Sequence, residues 1–198
     1  YKQISKKYFD EYRQGNHAVN HEALSSISHP ELGRQFISIG SVLPFYKDGQ
    51  FTIGEDIFQL ENATATQSND LLITAEAYMH TPYLWGGKSI FGIDCSGFVQ
   101  QVFKAAKDIK LPRDAYQQAE HGQFVEYADA TAGDLAFFEN EKGRIIHVGI
   151  LTDEREIIHA SGRVKIDNFN PRGIISKETG KHTHKLSFIK RVSPQQID

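Results

Sequence analysis

Phe91–Lys107 reads FGIDCSGFVQQVFKAAK and carries Cys95, the only cysteine of the 198-residue chain. Phe98, Val99, Val102, Phe103 and Ala106 recur at i, i+3 and i+4, so the stretch is predicted to be an amphipathic helix with one apolar stripe facing a core. Asp94 is its N-cap candidate, because a carboxylate can accept an orphan amide of the first turn. A thiol at that place stands in the positive end of the helix dipole, which favours thiolate, the nucleophilic form. A buried structural cysteine explains the stretch equally well, since free Cys is among the most buried residue types. A nucleophile needs a base and a group to orient that base, so the decision lies elsewhere in the chain.

Composition narrows the classes. Apolar residues make up 39% and charged ones 24%, which excludes disorder and suffices for a core without staples. One cysteine excludes an internal disulfide. A net charge of −3 with scattered basic residues leaves no electrostatic footprint for nucleic acid. The apolar runs fall far short of a membrane span. No leader pattern is legible at Tyr1, and since the chain does not begin with Met an upstream segment is allowed for.

Working outward from the helix, residues 1–30 are polar, with a helix expected from Ser5 to Gln14 that aligns Tyr8, Phe9 and Tyr12. His17, His21 and His29 are expected to be solvated. From Arg34 the texture becomes β-type, through Phe36, Ile37, Ile39, Val42, Leu43, Phe45 and Tyr46. The Lys47–Asp48–Gly49 turn before Phe51, Ile53, Ile57, Phe58 and Leu60 predicts a hairpin across Asp-Gly, inside a small β-barrel that ends near Asn62. ATATQSN, Ala63–Asn69, reads as a linker and divides the chain into domains 1–66 and 67–198.

A helix over Leu71–His80 follows, capped by Asn69 or Asp70 and stopped before Thr81–Pro82. The glycine loop YLWGGK at Tyr83–Lys88 leads into the Cys95 helix, which fades around Lys110–Leu111–Pro112. After a polar helical piece near Asp114–His121 come four strands, Asp134–Phe138, Ile145–Leu151, Glu156–Ala160 and Lys185–Val192. Turns at Glu141–Gly143 and Asp153–Glu154 make them an antiparallel meander. Helices first and strands afterwards predict an α+β fold.

Two of the nine histidines lie inside strands, His147 in IIHVGI and His159 in EIIHAS. Their spacing fits neighbouring positions on two antiparallel strands joined by the Asp153–Arg155 turn. His147 is then the candidate base for Cys95 and His159 its orienter. Core histidines satisfied by backbone carbonyls are the plain alternative. A zinc site of Cys95, His147 and His159 is a third, but paired cysteines and HExxH spacings are missing, so no metal and no organic cofactor is expected. His182 and His184, in KETGKHTHK, read as solvated residues of a charged loop.

DCSG at Asp94–Gly97, preceded by YLWGG at Tyr83–Gly87, resembles the NlpC/P60 cysteine peptidases. GDLAFF at Gly133–Phe138, HVGI at His147–Ile150 and HAS at His159–Ser161 continue the match in the same order, so the resemblance runs from about Leu71 to Val192. It implies a papain-like α+β catalytic domain with the cysteine helix packed on an antiparallel sheet. Cys95 is then the nucleophile, His147 the base and His159 the third member, with Tyr83 beside the nucleophile. The upstream β piece resembles the SH3-like domains that often precede such a domain in bacteria.

The substrate class implied is the peptidoglycan stem peptide, cut between γ-D-glutamate and a diamino acid. Arg113–Asp114, in LPRDAYQ, resembles the subgroup of dipeptidyl-peptidase VI type that acts on peptides with a free N-terminal L-alanine. Asp94, Ser96 and Asp114, with Arg113, are the candidates for that amine site, since a buried ammonium needs a paired anion. Asp114 is equally a helix cap. In the subgroup an acidic residue of an upstream SH3-type domain closes the pocket, and no residue of this sequence answers to it. Expected partners are stem peptides or muropeptide fragments handled by a monomer, at the bacterial envelope or in cytoplasmic murein recycling. The alternatives are a thiol amidase or acyltransferase on the same fold, and a wall-binding protein without catalysis.

Overall fold

Residues 4–61, 69–153 and 155–193 are described by a computed structural model, in which the chain divides into two units, Tyr1–Gln67 and Ser68–Asp198. The linker expected over 63–69 lies, apart from Asn69, outside the described residues, as does Glu154 of the Asp153–Glu154 turn.

In the first unit Ser5 accepts the amide of Tyr8 and so opens helix α1 (Lys6–Gln14). Tyr8 and Tyr12 lay ring edges on Phe45 at 6.1 and 6.4 Å, while Phe9 stays exposed. Strands β1 (His17–Val19), β2 (Leu24–His29), β3 (Gly33–Ser38), β4 (Val42–Pro44), β5 (Gln50–Ile53) and β6 (Asp56–Leu60) form two small antiparallel sheets, β1-β4 and β3-β2-β6-β5. Ile27, Leu43, Phe51, Phe58 and Leu60 make their common core.

Two expectations for this unit need correction. Asp48 and Gly49 do take the positive φ of a tight turn, but they close only the bridge between Lys47 and Gln50. The hairpin ladder forms one turn later, with Ile53 opposite Asp56, because β4 is already paired with β1. Nor are the histidines solvated. His17 stacks on Tyr12 at 4.3 Å and accepts the Phe45 amide, His29 accepts the amides of Glu31 and Leu32, and His21 is partly buried.

The second unit begins with α2 (Leu71–Glu76), where Asp70 accepts the amides of Leu72 and Ile73. The helix is shorter than the predicted Leu71–His80. Its last residues turn away because the His80 amide bonds to the Val164 carbonyl and draws the chain onto the sheet. The short pair β7 (Lys88–Ser89) and β8 (Gly92–Ile93) follows, and then α3 (Cys95–Lys107).

Asp94 caps α3 by accepting the Gly97 amide at 2.7 Å. At the other end Asp108 turns left-handed and its amide and that of Ile109 close on Lys104 and Phe103, four residues before Pro112. Phe98, Val99, Val102 and Phe103 are almost wholly buried, each contributing about 1.5–3 kcal/mol by transfer from water.

The predicted polar helix near Asp114–His121 is a single turn, α4 (Ala115–Gln118). The predicted four-strand meander is a larger sheet of β9 (Gln123–Val125), β10 (Leu135–Glu139), β11 (Ile145–Leu151), β12 (Glu156–Ser161), β13 (Arg163–Asn170), β14 (Gly173–Ile175) and β15 (His182–Arg191). All neighbours are antiparallel, and β10 also pairs with β15, so β10 to β15 close on themselves as a six-stranded barrel. Closure removes the unpaired edges that a four-stranded meander would leave. The missed strand β13, RVKIDNFN, is polar because much of its inner face carries the site instead of core.

Side chains alternate across each strand. Ala136, Phe138, Leu151, Ile157, Phe169, Ile174 and Ile189 form one buried cluster. His147, His159 and Asp167 share strand parity with Leu151, Ile157 and Phe169, and so belong to that face. Helix α3 packs against β11 and β12.

Candidate active site

The turn before α3 is held by one carboxylate. Asp94 Oδ1 accepts the Gly97 amide and Arg113 Nη1, at 2.7 and 3.0 Å, while Oδ2 accepts the Gly86 amide at 2.8 Å and Arg113 Nη2 at 2.5 Å. Arg113 Nη1 also reaches Ser96 Oγ at 3.0 Å. These bonds tie the YLWGG loop, the helix start and the LPRD segment into one piece. They hold the Asp94 carboxyl below its ordinary range against the burial that pushes it up.

The approach of the loop explains the DCSG glycine. A Cβ on Gly97 would lie 2.5 Å from the Gly87 carbonyl oxygen and 2.9 Å from Asp94 Oδ1. Tyr83 is anchored by its amide on the Gly162 carbonyl, and its hydroxyl pKa is raised by burial and by the nearby Cys95 and Asp94.

Cys95 occupies the first position of α3 and is buried. Its sulfur lies against the amide of Val148, next along β11 from His147, and against the amides of Ser96 and Cys95 itself. Burial pushes the thiol up, the three amides pull it down, the Asp94 carboxylate pushes it up again, and the net direction is upward. The expectation of a thiolate favoured by the helix dipole is therefore corrected for the resting site. Dehydration of the sulfur outweighs the amides.

His147 Nε2 meets His159 Nδ1 at 2.8 Å, and both rings are buried. The contact depends on Gly149. Continuing the β11–β12 register from Leu151↔Ile157 puts Gly149 opposite His159, and a Cβ there would lie 2.9 Å from the His159 Cβ and 2.7 Å from the Ile157 side chain. With that space open, the diagonal partner His147 can reach the ring. Burial, and then His159 and His184, hold the His147 pKa well below its ordinary value, so the imidazole is neutral at rest. A neutral thiol held at the amide that follows a neutral imidazole along β11 can attack with concerted proton transfer.

Two residues of this region escaped the sequence reading. Asp167 is buried beneath the histidines, with Oδ2 3.0 Å from His159 Nε2. Hidden in RVKIDNFN, it carried no motif, and only the assignment of β13 as a strand with Asp167 on the face of Phe169 could have found it. His184 belongs to β15 and not to a solvated loop, and it stacks on His147 at 4.2 Å with 24° between the ring planes. Its pKa is lowered to about 4, chiefly by burial. The sign that could have found it is its place two residues before Leu186, which packs on the same inner cluster, because a bulge between Leu186 and Phe188 breaks the alternation from Ile189.

Of the other candidates, Ser96 is buried and bonded to Arg113, and Asp114 is exposed, its amide donating to Gln117 Oε1 at 3.0 Å as a helix cap. Asp94 has its oxygens filled by Arg113, Gly86 and Gly97. Among the described residues no group of three or more His, Cys, Asp or Glu is arranged as a metal site, and no helix is long and apolar enough to cross a membrane.

Known proteins resemble this chain in sequence and in fold. A gamma-D-glutamyl-L-lysine dipeptidyl-peptidase of Bacillus subtilis is 44% identical over 95 residues, covering 47% of this chain and 32% of the relative. A probable endopeptidase of Haemophilus influenzae is 45% identical over 84 residues, 42% of this chain and 52% of that protein. The chain thus spans between about a third and about half of the length of these relatives. The crystal structure of an NlpC/P60 family protein from Bacillus cereus superposes with a TM-score of 0.75 at 22% identity, over 96% of this chain and 67% of that one, a likeness of fold. A Staphylococcus aureus protein of the same family, described as similar to lipoprotein, is 30% identical with a TM-score of 0.51 over 67% of this chain and 45% of its own. The NlpC/P60 family model matches residues 80–183, from the turn after α2 to the start of β15, and the chain belongs to the NlpC/P60 family.

Proposed function

We propose that this chain is a cysteine endopeptidase that hydrolyses the γ-D-glutamyl-L-diamino acid bond of peptidoglycan stem peptides, with Cys95 as nucleophile, His147 as base and His159 as its partner. The observation that carries the reading is the thiol at the start of α3, against the amide next to His147, whose ring is hydrogen-bonded to His159 at 2.8 Å. The substrate class rests on the relatives, two of which are named gamma-D-glutamyl-L-lysine dipeptidyl-peptidase.

In the forward step Cys95 Sγ attacks the scissile carbonyl carbon while its proton passes to His147. The oxyanion gathers at the start of α3, where the amide of Cys95 donates. Collapse breaks the C–N bond, His147 gives its proton to the leaving amine, and a thioester remains. Water then attacks the thioester, His147 takes its proton, and as the C–S bond breaks His147 returns that proton to the sulfur, which releases the acid and restores both the thiol and the neutral imidazole.

Tyr83, Ser96, Arg113 and Asp114 surround the helix start and are our candidates for holding the acyl side of the substrate. Because Asp94 is already filled, an amine of L-alanine falls to the exposed Asp114 rather than to Asp94. We further read the first unit as an SH3-type module, from its two small sheets of short strands.

The test is mass spectrometry of products from L-Ala-γ-D-Glu-diamino acid tripeptides, free and N-acetylated. Wild-type protein should release the diamino acid from the free peptide, and Cys95→Ala should lose at least about 10⁴-fold in kcat. Activity that persists in Cys95→Ala overturns the thiol mechanism, and equal cleavage of acetylated peptide overturns the amine contact. Release of a product other than the diamino acid transfers the chemistry to another bond.

A further inference from the structure

We propose that Asp167 is a positioning residue that fixes, with a single anion, the tautomers of both His159 and His147 and so leaves the correct nitrogen of His147 free to act as base. The inference rests on the reading of His147 as that base.

The geometry is an unbroken chain of contacts. Asp167 Oδ2 lies 3.0 Å from His159 Nε2, His159 Nδ1 lies 2.8 Å from His147 Nε2, and all three residues are buried. The carboxylate is fixed from two other sides. The Lys177 amide donates to Oδ1 at 2.9 Å, and Lys165 Nζ stands 3.2 Å from Oδ2 with only 15% of its side chain exposed. These bonds hold the Asp167 carboxyl far below its ordinary range, so it is an ionised acceptor throughout the working pH range.

An acceptor at Oδ2 requires the proton of neutral His159 to sit on Nε2. His159 Nδ1 is then a lone pair, and the short contact to His147 can be a hydrogen bond only if His147 Nε2 carries a proton. Neutral His147 is left with a bare Nδ1, the one nitrogen able to take the thiol proton. When it does, the imidazolium donates from Nε2 to His159 Nδ1. Sharing of that proton moves positive charge one ring nearer the anion, and no atom is gained or lost.

The opposite tautomer pair, with protons on His159 Nδ1 and His147 Nδ1, satisfies the short contact equally well but leaves no base toward Cys95. Nothing in the two rings chooses between these states. Asp167 does. An amide in its place is conflicted. If its oxygen keeps the Lys177 amide, its NH2 faces His159 Nε2 and reverses both rings. If the oxygen faces His159, the NH2 meets the Lys177 amide head-on.

The experiment is ¹⁵N NMR of the histidine rings in wild type and Asp167→Asn, with the rate of Cys95 alkylation by iodoacetamide against pH. Neither readout needs the substrate. In wild type both His147 and His159 should show the Nε2–H tautomer. Asp167→Asn should populate Nδ1–H at both rings, slow alkylation at neutral pH at least tenfold, and lower kcat on any peptide substrate with KM unmoved.

Lys165→Met keeps Asp167 and serves if Asp167→Asn does not fold. The charged and titratable groups facing the array are Asp167, Lys165 and His184, with Glu178 on the far side of Lys165 at 3.9 Å. Removing the lysine gives His159 the whole anion, so the acid limb of the alkylation profile should move to higher pH. Retention of wild-type tautomers and alkylation in Asp167→Asn, or an unmoved acid limb in Lys165→Met, overturns the proposal. Absence of peptide hydrolysis by wild type, with the tautomers as stated, instead overturns the reading of function.

Discussion

Arg113→Met tests the joint on which the cysteine helix stands. The variant keeps the aliphatic stem and removes the two bonds at 3.0 and 2.5 Å to Asp94 and the bond at 3.0 Å to Ser96. Breaking a fully buried pair by deleting one partner costs about 3–5 kcal/mol. Here the Asp94 side chain is 9% exposed but that of Arg113 is 31%, and the Gly86 and Gly97 amides still hold the carboxylate. The expected loss at pH 7 is therefore smaller, about 1–3 kcal/mol.

The pH dependence follows from the direction of the Asp94 shift. In wild type the folded carboxyl is depressed, so its stabilising share is present above the ordinary carboxylate range and is lost as pH falls through the folded value. Without the guanidinium, burial is the largest remaining influence and the carboxyl rises. The folded variant then takes up a proton at higher pH than wild type does, and the difference between the two should shrink from about pH 6 toward about pH 3. Urea unfolding of both proteins across that range measures it. A difference under about 0.5 kcal/mol at pH 7, or one that stays constant on acidification, refutes the account of Asp94 as a charge held by Arg113.

Two other perturbations follow from the packing and the histidines. Gly97→Ala gains roughly 1 kcal/mol of helix propensity but drives a methyl to 2.5 Å from the Gly87 carbonyl oxygen. Relief of the collision costs about 2–3 kcal/mol, so thermal unfolding should register a net loss of about 1–2 kcal/mol, and a variant as stable as wild type contradicts the close approach. His147, His159 and His184 all have folded pKa values below the ordinary 6.5, that of His184 about 4. Their contribution is present above the unfolded value and is lost as pH falls, so stability should decline from about pH 6.5 to pH 4 by up to about 1.4 kcal/mol per pH unit per histidine. A flat urea series between pH 7.5 and 5 rules out neutral buried histidines.

How much of this was legible depends on how much of each feature is local. The α3 period, the Asp94 cap and the strands around His147 and His159 are written in consecutive residues, and the structure has them where the spacing put them. β13 was not legible, because its apolar residues change face within the strand, from Val164 and Ile166 to Phe169 beside the buried Asp167, and its charges imitate a loop. The place of His184 in β15 was lost for the same reason, since KHTHK reads as polar until pairing with β14 and β10 fixes which face it shows. Barrel closure itself is a pairing between β10 and β15, far apart in the chain, and no local signal encodes it. The Asp48–Gly49 turn failed in another way. Its turn chemistry was right, but the partner strand had been claimed by β1.

The two buried carboxylates stand at opposite ends of the reacting pair and act on it in opposite senses. In the proposed reaction thiolate formation moves a proton from Cys95 to His147, creating a negative charge near Asp94 and a positive one joined through His159 to Asp167. Asp167 favours the product of that transfer, and Asp94 opposes it by raising the thiol. The guanidinium of Arg113 lies on Asp94 and works against that opposition, and the amides of Val148, Ser96 and Cys95 pull the thiol down as well. Arg113 therefore has an effect beyond stability. In Arg113→Met the bared Asp94 charge should raise the Cys95 thiol further, so alkylation at neutral pH should slow even in the fraction that remains folded. A site whose nucleophile is dry and neutral at rest depends on such compensation, because burial penalises both ions that the reaction must form.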